Sequence, residues 1–430
     1  MAVRFSMLTA AWRYDRSMDK EKFAMTADHL KSLFQREFSK MVAVISNLFG
    51  LQHIEIAEDI VSETFLQATE TWSSKGVPEN PPAWLYTVAK RKALYHFRRN
   101  KIFETKIVPQ LRSTGDGEVP EFDFSQQNIR DSQLQMLFAV CNPAIASEAQ
   151  IGLALRILCG FGIEEIAEAF LTNKETINKR LFRAKEKLRA EKIKMELPPA
   201  NEIINRLENV LHIIYLLFSE GYYSQTQTEI LRKDFCLEAM RLAMMLTDYE
   251  KTNLPRTNAL LALMCFHASR FGARQANQNA VILYEDQQEE LWDAALIRQG
   301  TYFLKLSAEG NEMTSYHLEA RIAYWHCMKE DTPEKWQDIL HLYDQLLQVN
   351  YSPGVALNRA FALFKVKGAN AALAEAELLR LEDNHFYFVL LGELYRNIDA
   401  TKAKANFEKA GLLAKTDTER KGIEEKLKGL

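Results

Sequence analysis

The chain has 430 residues, 47% of them hydrophobic and 26% charged, with a formal net charge of −3. These proportions fit a globular protein with ample material for buried cores, and the length points to about two to four domains. With only 17 glycines and 11 prolines, helices are favoured over a turn-rich β architecture and an all-α fold is expected.

Residues 1–27 read as an N-terminal extension. It lacks the apolar core of a secretion signal, and no apolar run anywhere reaches the roughly 18 residues of a membrane span. Five cysteines, Cys141, Cys159, Cys236, Cys265 and Cys327, stand singly without C-x-x-C spacing. They read as buried reduced thiols. The expectation is a soluble cytoplasmic protein without membrane contact.

From about Asp28 the pattern is helical. Leu30, Leu33, Phe34, Phe38, Met41, Val42 and Ile45 recur at three- and four-residue spacing, and Gly50 marks a C-terminal stop. "IEIAEDIVSETFLQATETW" continues as a second helix with acids in its first turns, where the helix dipole favours them. "SSKGVPENPPAW" (Ser73–Trp84) reads as a loop, with Pro82 suited to the first turn of the next helix. That helix, "AWLYTVAKRKALYHFRRNK", sets Trp84, Leu85, Val88, Leu94 and Phe97 in one stripe and most of its bases elsewhere. Lys90, Arg91, Lys92, Arg98, Arg99, Lys101 and Lys106 face only one acid, Glu104, in this segment, and Trp84, Tyr86, Tyr95, His96 and Phe97 are interleaved with them. Bases neutralise phosphates and aromatics stack on exposed nucleobases, although aromatics at helical spacing are equally read as core.

Residues 107–130 show no helical period and read as an extended acidic linker. From 131 to 196 a compact helical module follows, closed by Pro198 and Pro199. In it Gly162 precedes "IEEIAEAF", with Ile163, Ile166, Ala167 and Phe170 inward, and "LTN" makes a turn. Thr172 and Glu175 fit a capping box that starts a second helix near Asn173. Two short helices joined by so tight a turn have helix-turn-helix spacing. From the residues alone this is either a DNA-reading helix or a solvated amphipathic face; as a scaffold feature it could equally make a protein contact.

Beyond Asn201 the chain reads as hairpin-sized helices, a helical domain over 200–310 and tetratricopeptide-like repeats over 311–430. Gly392, Tyr395, Ala403, Phe407 and Ala410 carry the small–aromatic alternation of such a repeat. Ala360, Leu363, Ala372 and Ala376 hold similar places earlier, and a third copy starts near Ala320. Small residues let paired helices approach and large ones fill the gaps. The formal charge is +3 over residues 1–199 and −6 over the remainder, which motivates an intramolecular contact between the C-terminal extension and the basic modules. No phosphate-cradling glycine loop, H-E-x-x-H or G-x-S-x-G occurs. No enzyme activity, cofactor or metal is therefore expected.

Taken together, "AEDIVSETFLQATETW", "NPPAWLYTVAKRKALYHFRR" and the helix-turn-helix resemble a sigma factor of the extracytoplasmic-function subfamily, over roughly residues 28–195. The continuation "HIIYLLFSEGYYSQ" and "LYEDQQEELWDAALIRQG" resembles the subgroup with a C-terminal helical extension. The resemblance implies two sigma domains, 28–106 and 131–196, and core RNA polymerase and promoter DNA as partners. It implies that Glu58, Asp59, Ile60, Val61, Glu63 and Phe65 dock on the β′ clamp helices, Ser62 standing where the family usually has Gln. Trp84, Lys90, Arg91, Lys92, Tyr95, His96, Arg98 and Arg99 would meet the downstream element, with the preceding loop capturing a flipped base. Lys174, Glu175, Thr176, Asn178, Lys179, Arg180, Arg183 and Lys187 would meet the upstream element. Asp116, Glu118, Glu121 and Asp123 would thread toward the polymerase channel. Arg91 and Tyr95, and the pair Lys174–Glu175, depart from the residues common in the family, so base preference is not inherited.

Overall fold

The computed structural model describes residues 20–99, 123–170, 172–223, 229–274, 287–414 and 417–430. Among these the regular structure is helical and no strand occurs, as the scarcity of Gly and Pro implied. No described helix is long and apolar enough to cross a membrane. The chain divides into two compact units at Thr252/Asn253, and each is built around helices buried on several sides.

In the first unit α1 (Lys20–Phe49) is central. It starts before the Asp28 expected from the pattern. Its apolar period gives way to continuous burial at Met41, Val42, Ala43, Val44 and Ile45, each at most 1% exposed. A helix buried all round must have neighbours on every side. They are α2 (Ile54–Lys75), α3 (Pro81–Arg99) and α4 (Gln126–Val140). Gly50, at φ +82°, ends α1 as expected, its N–H donating to the Ser46 carbonyl at 2.8 Å. The loop expected over Ser73–Trp84 is shorter. Helix α2 runs to Lys75 and Gly76 stops it at φ +84°. Asn80 then caps α3, its side chain accepting from the Ala83 N–H at 3.1 Å. Pro81 and Pro82 both fit the first turn, where no intrahelical donor is needed.

The linker expected to reach residue 130 also ends earlier. Ser125 caps α4, its hydroxyl accepting from the Asn128 N–H at 3.3 Å, so 126–130 are helical. Helix α5 (Ser147–Leu153) passes into a π-helical turn, Ala154–Leu158, and is followed by α6 (Ile163–Ala169) and α7 (Lys174–Ala190). The α6–α7 pair is the expected helix-turn-helix. Its second helix is capped by Asn173, which accepts from the Thr176 N–H at 2.8 Å, and not by Thr172. Ile177, Leu181, Ala184 and Leu188 point inward.

The two compact units meet at 252/253. Helices α8 (Ile203–Tyr223) and α9 (Glu229–Thr247) belong to the first unit because their polar side chains satisfy backbone carbonyls of the helix-turn-helix module. Arg206 donates to the Phe138 carbonyl at 2.6 Å, Asn209 to that of Cys141 at 2.8 Å, and Arg241 to that of Leu158 at 2.8 Å. Phe161 meets Phe235 edge-on at 4.6 Å.

In the second unit α10 (Pro255–Ser269) is buried over most of its length and packs on α11 (Ala294–Ser307) and α12 (Ser315–Trp325). Gly300 permits the approach, since a Cβ there would lie 2.7 Å from the Phe266 ring. Consecutive hairpins follow: α12 with α13 (Pro333–Val349), α14 (Pro353–Lys367) with α15 (Ala369–Ala376), and α16 (His385–Tyr395) with α17 (Ala400–Leu413). Helix α18 (Asp417–Lys428) closes the series through Ile423. Ala320, Ala360, Leu363, Ala372, Ala376, Ala403, Phe407 and Ala410 are all buried, as the small–large alternation implied. Cys141, Cys159, Cys236 and Cys265 are buried and Cys327 half-buried.

Candidate nucleic-acid interface

The acidic start of α2 divides its residues between core and surface by helical phase. Ile60, Val61 and Phe65 are 5%, 0% and 2% exposed, Phe65 meeting Phe34 edge-on at 5.0 Å. Expected to face a protein partner, they are instead core residues that hold α2 against α1, because positions three and four apart share the inward stripe. Asp59 and Glu63 are exposed. Leu66, 40% exposed, lies on the same face one and two turns on. Leu66 carries no charge that would mark it in the sequence.

Glu58 is the exception to this division, a carboxylate only 1% exposed. Arg156, from the π-helical turn, donates through Nε to its Oε1 at 3.0 Å, and Lys185 of α7 donates to its Oε2 at 2.5 Å. Burial alone would raise the Glu58 carboxyl, but the two cations outweigh it and hold the group below the ordinary 4.5. Arg156 also donates to the Phe161 carbonyl at 3.1 Å and lies over the Phe38 ring. Beside this cluster Arg189 of α7 pairs with Glu55 and Glu186, and its Nε donates to the Gln52 carbonyl at 2.8 Å.

Helix α3 presents the first basic surface. Arg91 and Tyr95 are exposed, Tyr95 at 64%. Lys90 is half-buried, and Lys92 pairs with Glu63 at 3.5 Å, linking the basic face to the acidic one. Trp84 is half-buried against Trp72 at 5.4 Å, and His96 packs edge-on against Phe49 at 5.8 Å. Both serve the core at least in part. Tyr86 stacks on Phe124 at 4.9 Å and donates to the Glu37 carboxylate, an arrangement that, with burial, raises its phenol. The side chains of Phe97, Arg98 and Arg99 lie outside the described residues, as do Lys101, Lys106, Asp116, Glu118 and Glu121. Asp123 is described: it accepts from the Ser125 N–H at 2.7 Å and hydroxyl at 2.8 Å, which lower its carboxyl.

The second basic surface is the outer face of α7. Lys174, Glu175, Thr176, Asn178, Lys179, Arg183 and Lys187 are exposed together, whereas Lys185, which the amphipathic pattern also turns outward, is half-buried against Glu58. Lys174 is paired with Glu164 of α6, and Arg180 is half-buried, 3.2 Å from Glu148 and over the Phe170 ring. Those two cations therefore brace the motif as well as line its face. Phe182 was not foreseen. It is 62% exposed between Lys179 and Arg183, where an apolar ring gains nothing from solvent. Its side chain carries no charge or polar atom that would mark it in the sequence.

A family model for sigma-70 region 2 matches residues 33–102, the span of most of α1 and of α2 and α3. A second model, a family of unknown function (DUF6596), matches residues 206–308. A protein of Rhizobium meliloti (strain 1021), described as uncharacterized, is 34% identical over 376 residues, covering 86% of this chain and 88% of its own length. No solved structure gives a significant match. The three-helix acidic–basic module at 33–102 carries the sigma-70 region 2 match, and the near full-length relationship leads to one conclusion: the chain belongs to the same family as the Rhizobium protein.

Proposed function

We propose that this protein is an alternative sigma factor of the extracytoplasmic-function type. It docks on the β′ clamp helices of core RNA polymerase through Asp59, Glu63 and Leu66 of α2. Promoter DNA is engaged by α3 at the downstream element and by α7 at the upstream one. It acts in the cytoplasm, by binding and strand opening, with no covalent chemistry of its own. The α12–α18 hairpins form a tetratricopeptide-like extension that regulates the sigma domains in cis. The observation that carries the reading is the coincidence of the sigma-70 region 2 match with α1–α3, where an acidic helix and a basic helix share one small core.

Run-off transcription with core polymerase, with and without the protein, tests it. Promoter-directed transcripts are expected only when the protein is present. DNA binding without any association with core polymerase would identify a conventional DNA-binding regulator instead.

The two basic surfaces make separable predictions. Lys179→Ala removes a phosphate-type contact and should weaken binding evenly across sequences, lowering the slope of log K against log salt by about 1. Phe182→Ala should act on sequence choice, because a phenyl ring in the major groove contacts the thymine methyl. Its expected effect is a loss of about 1 kcal/mol of discrimination at one position, measured by competition between promoters that differ at single base pairs. A uniform loss across all of them would place Phe182 outside the groove.

A further inference from the structure

Within the second unit, α11, α12 and the loop joining them line a cavity of about 740 Å³. That volume lies in the range of small-molecule sites. Helical phase builds its walls: Thr301, Leu304 and Lys305 share one stripe of α11, and His317, Arg321, Tyr324 and Trp325 one stripe of α12. The rim is fixed before anything binds. His317, 4% exposed, ties the end of α11 to the start of α12. The Thr314 N–H donates to its Nδ1 at 3.1 Å, so the proton sits on Nε2, which donates to the Ser307 carbonyl at 3.2 Å. Burial holds the imidazole below its ordinary 6.5, in the neutral form this bonding requires. Glu312 anchors the loop to α10: it pairs with the Arg256 guanidinium and accepts from the Arg256 N–H at 3.3 Å. A ligand therefore meets a preorganised rim and avoids the ordering cost that otherwise lowers affinity.

The lining divides by chemistry. Tyr324, braced by the Phe266 ring at 5.6 Å, joins Trp325 and Met313 in an aromatic and apolar wall. Met313 is 56% exposed, an apolar side chain that gains nothing from solvent. Lys305 and Arg321 line the same cavity and are exposed, and neither has a carboxylate within ion-pairing distance among the described residues. Glu312 is neutralised by Arg256, which leaves Asp338 of α13 as the uncompensated acid of the lining. Two cations against one acid leave a net positive charge of one, which matches a singly charged anion better than a phosphate dianion.

We infer that this cavity is a binding site for a small aromatic monocarboxylate, with its ring against Tyr324, Trp325 and Met313 and its carboxylate held by Lys305 and Arg321. A planar guanidinium receives a carboxylate through two parallel hydrogen bonds, and the ammonium adds charge without a fixed direction. The site goes beyond the sigma-factor reading and does not depend on it, since binding is measured without polymerase or DNA.

The test titrates the full chain with indole-3-acetate and with its neutral, nearly isosteric amide, indole-3-acetamide, followed by saturation-transfer NMR. The carboxylate should bind with a dissociation constant of about 1 mM or tighter, ordinary for a ligand of this size. It should bind about tenfold more tightly than the amide, the gain expected from hydrogen bonds to a charged group. Lys305→Ala combined with Arg321→Ala should abolish that preference and leave amide binding unchanged. Met313→Ala should weaken both ligands about threefold, because it thins the wall they share. All three positions are exposed, so circular dichroism and thermal unfolding should match wild type. If the double variant departs from that, Arg321→Gln, which keeps the stem and a donor but not the charge, should lower the preference by itself. Lys404→Ala, an exposed cation on α17, should change nothing. Absence of carboxylate binding, equal affinity for acid and amide, or a preference that survives loss of both cations overturns the site. A preference lost equally in Lys404→Ala would mark diffuse charge attraction and overturn it as well.

Discussion

Replacing Phe407 with alanine is expected to destabilise the second unit by about 3–5 kcal/mol. The ring is 0% exposed in α17 and lies directly against α16, where a Cβ on Gly392 would fall 2.7 Å from it. No side chain on α16 can move into the vacated space at that point, because the facing position is a glycine. Collapse is therefore incomplete and the cavity term adds to the lost burial. The complementary change, Gly392→Ala, forces the ring away and should cost about 1–3 kcal/mol. Combining Gly392→Ala with Phe407→Leu should recover part of that cost, since the smaller side chain makes room for the added methyl. Calorimetric unfolding of these variants and of Phe407→Leu alone, followed through the transition of the second unit, gives the values. Additive costs in the combined variant would show that Gly392 and Phe407 do not share one packing site.

Glu58→Ala should destabilise the first unit by about 3 kcal/mol, because it strands Arg156 and Lys185 in a seam where their side chains are 10% and 12% exposed. The same group sets a pH dependence. Its carboxyl is held below 4.5 in the folded chain by Arg156 and Lys185, against the burial that would raise it. Arg189 and Glu55 are the next charges along the seam. A depressed carboxylate contributes stability that is complete above its unfolded value and is lost as pH falls through the folded one. The stability gap between wild type and Glu58→Gln should therefore stay level from pH 7 to about 5 and shrink below the ordinary 4.5. A gap that widened on acidification would contradict the assigned sign. Denaturant titrations of both proteins across that range provide the measurement.

These two sites show how unequally the sequence spoke about different parts of the molecule. The Gly392–Phe407 contact was legible, since both residues belong to a small–large alternation whose meaning is local: one hairpin, one packing layer. Gly50 as the stop of α1 was legible for a similar reason, a glycine directly after a helical period read over a few turns. The cap of α7 is Asn173 and not the adjacent Thr172, because both residues offer an oxygen and only backbone geometry selects between them. The family motif assigns Ile60, Val61 and Phe65 to a partner-facing surface, whereas their spacing alone assigns them to the core, where the structure buries them.

The boundary at 252/253 and the environment of Glu58 were beyond any local pattern. Helices α8 and α9 join the first unit through side chains that reach carbonyls 68 and 83 residues away in sequence. Glu58 meets Arg156 and Lys185 across separations of 98 and 127 residues. By itself the sequence determined the all-α class, the order of acidic, basic and helix-turn-helix segments, and the packing logic of the C-terminal hairpins, because period, caps and side-chain size act within a few turns. Only the tertiary structure decided which cations neutralise Glu58, since a charge pattern lists the available partners while burial and reach select among them.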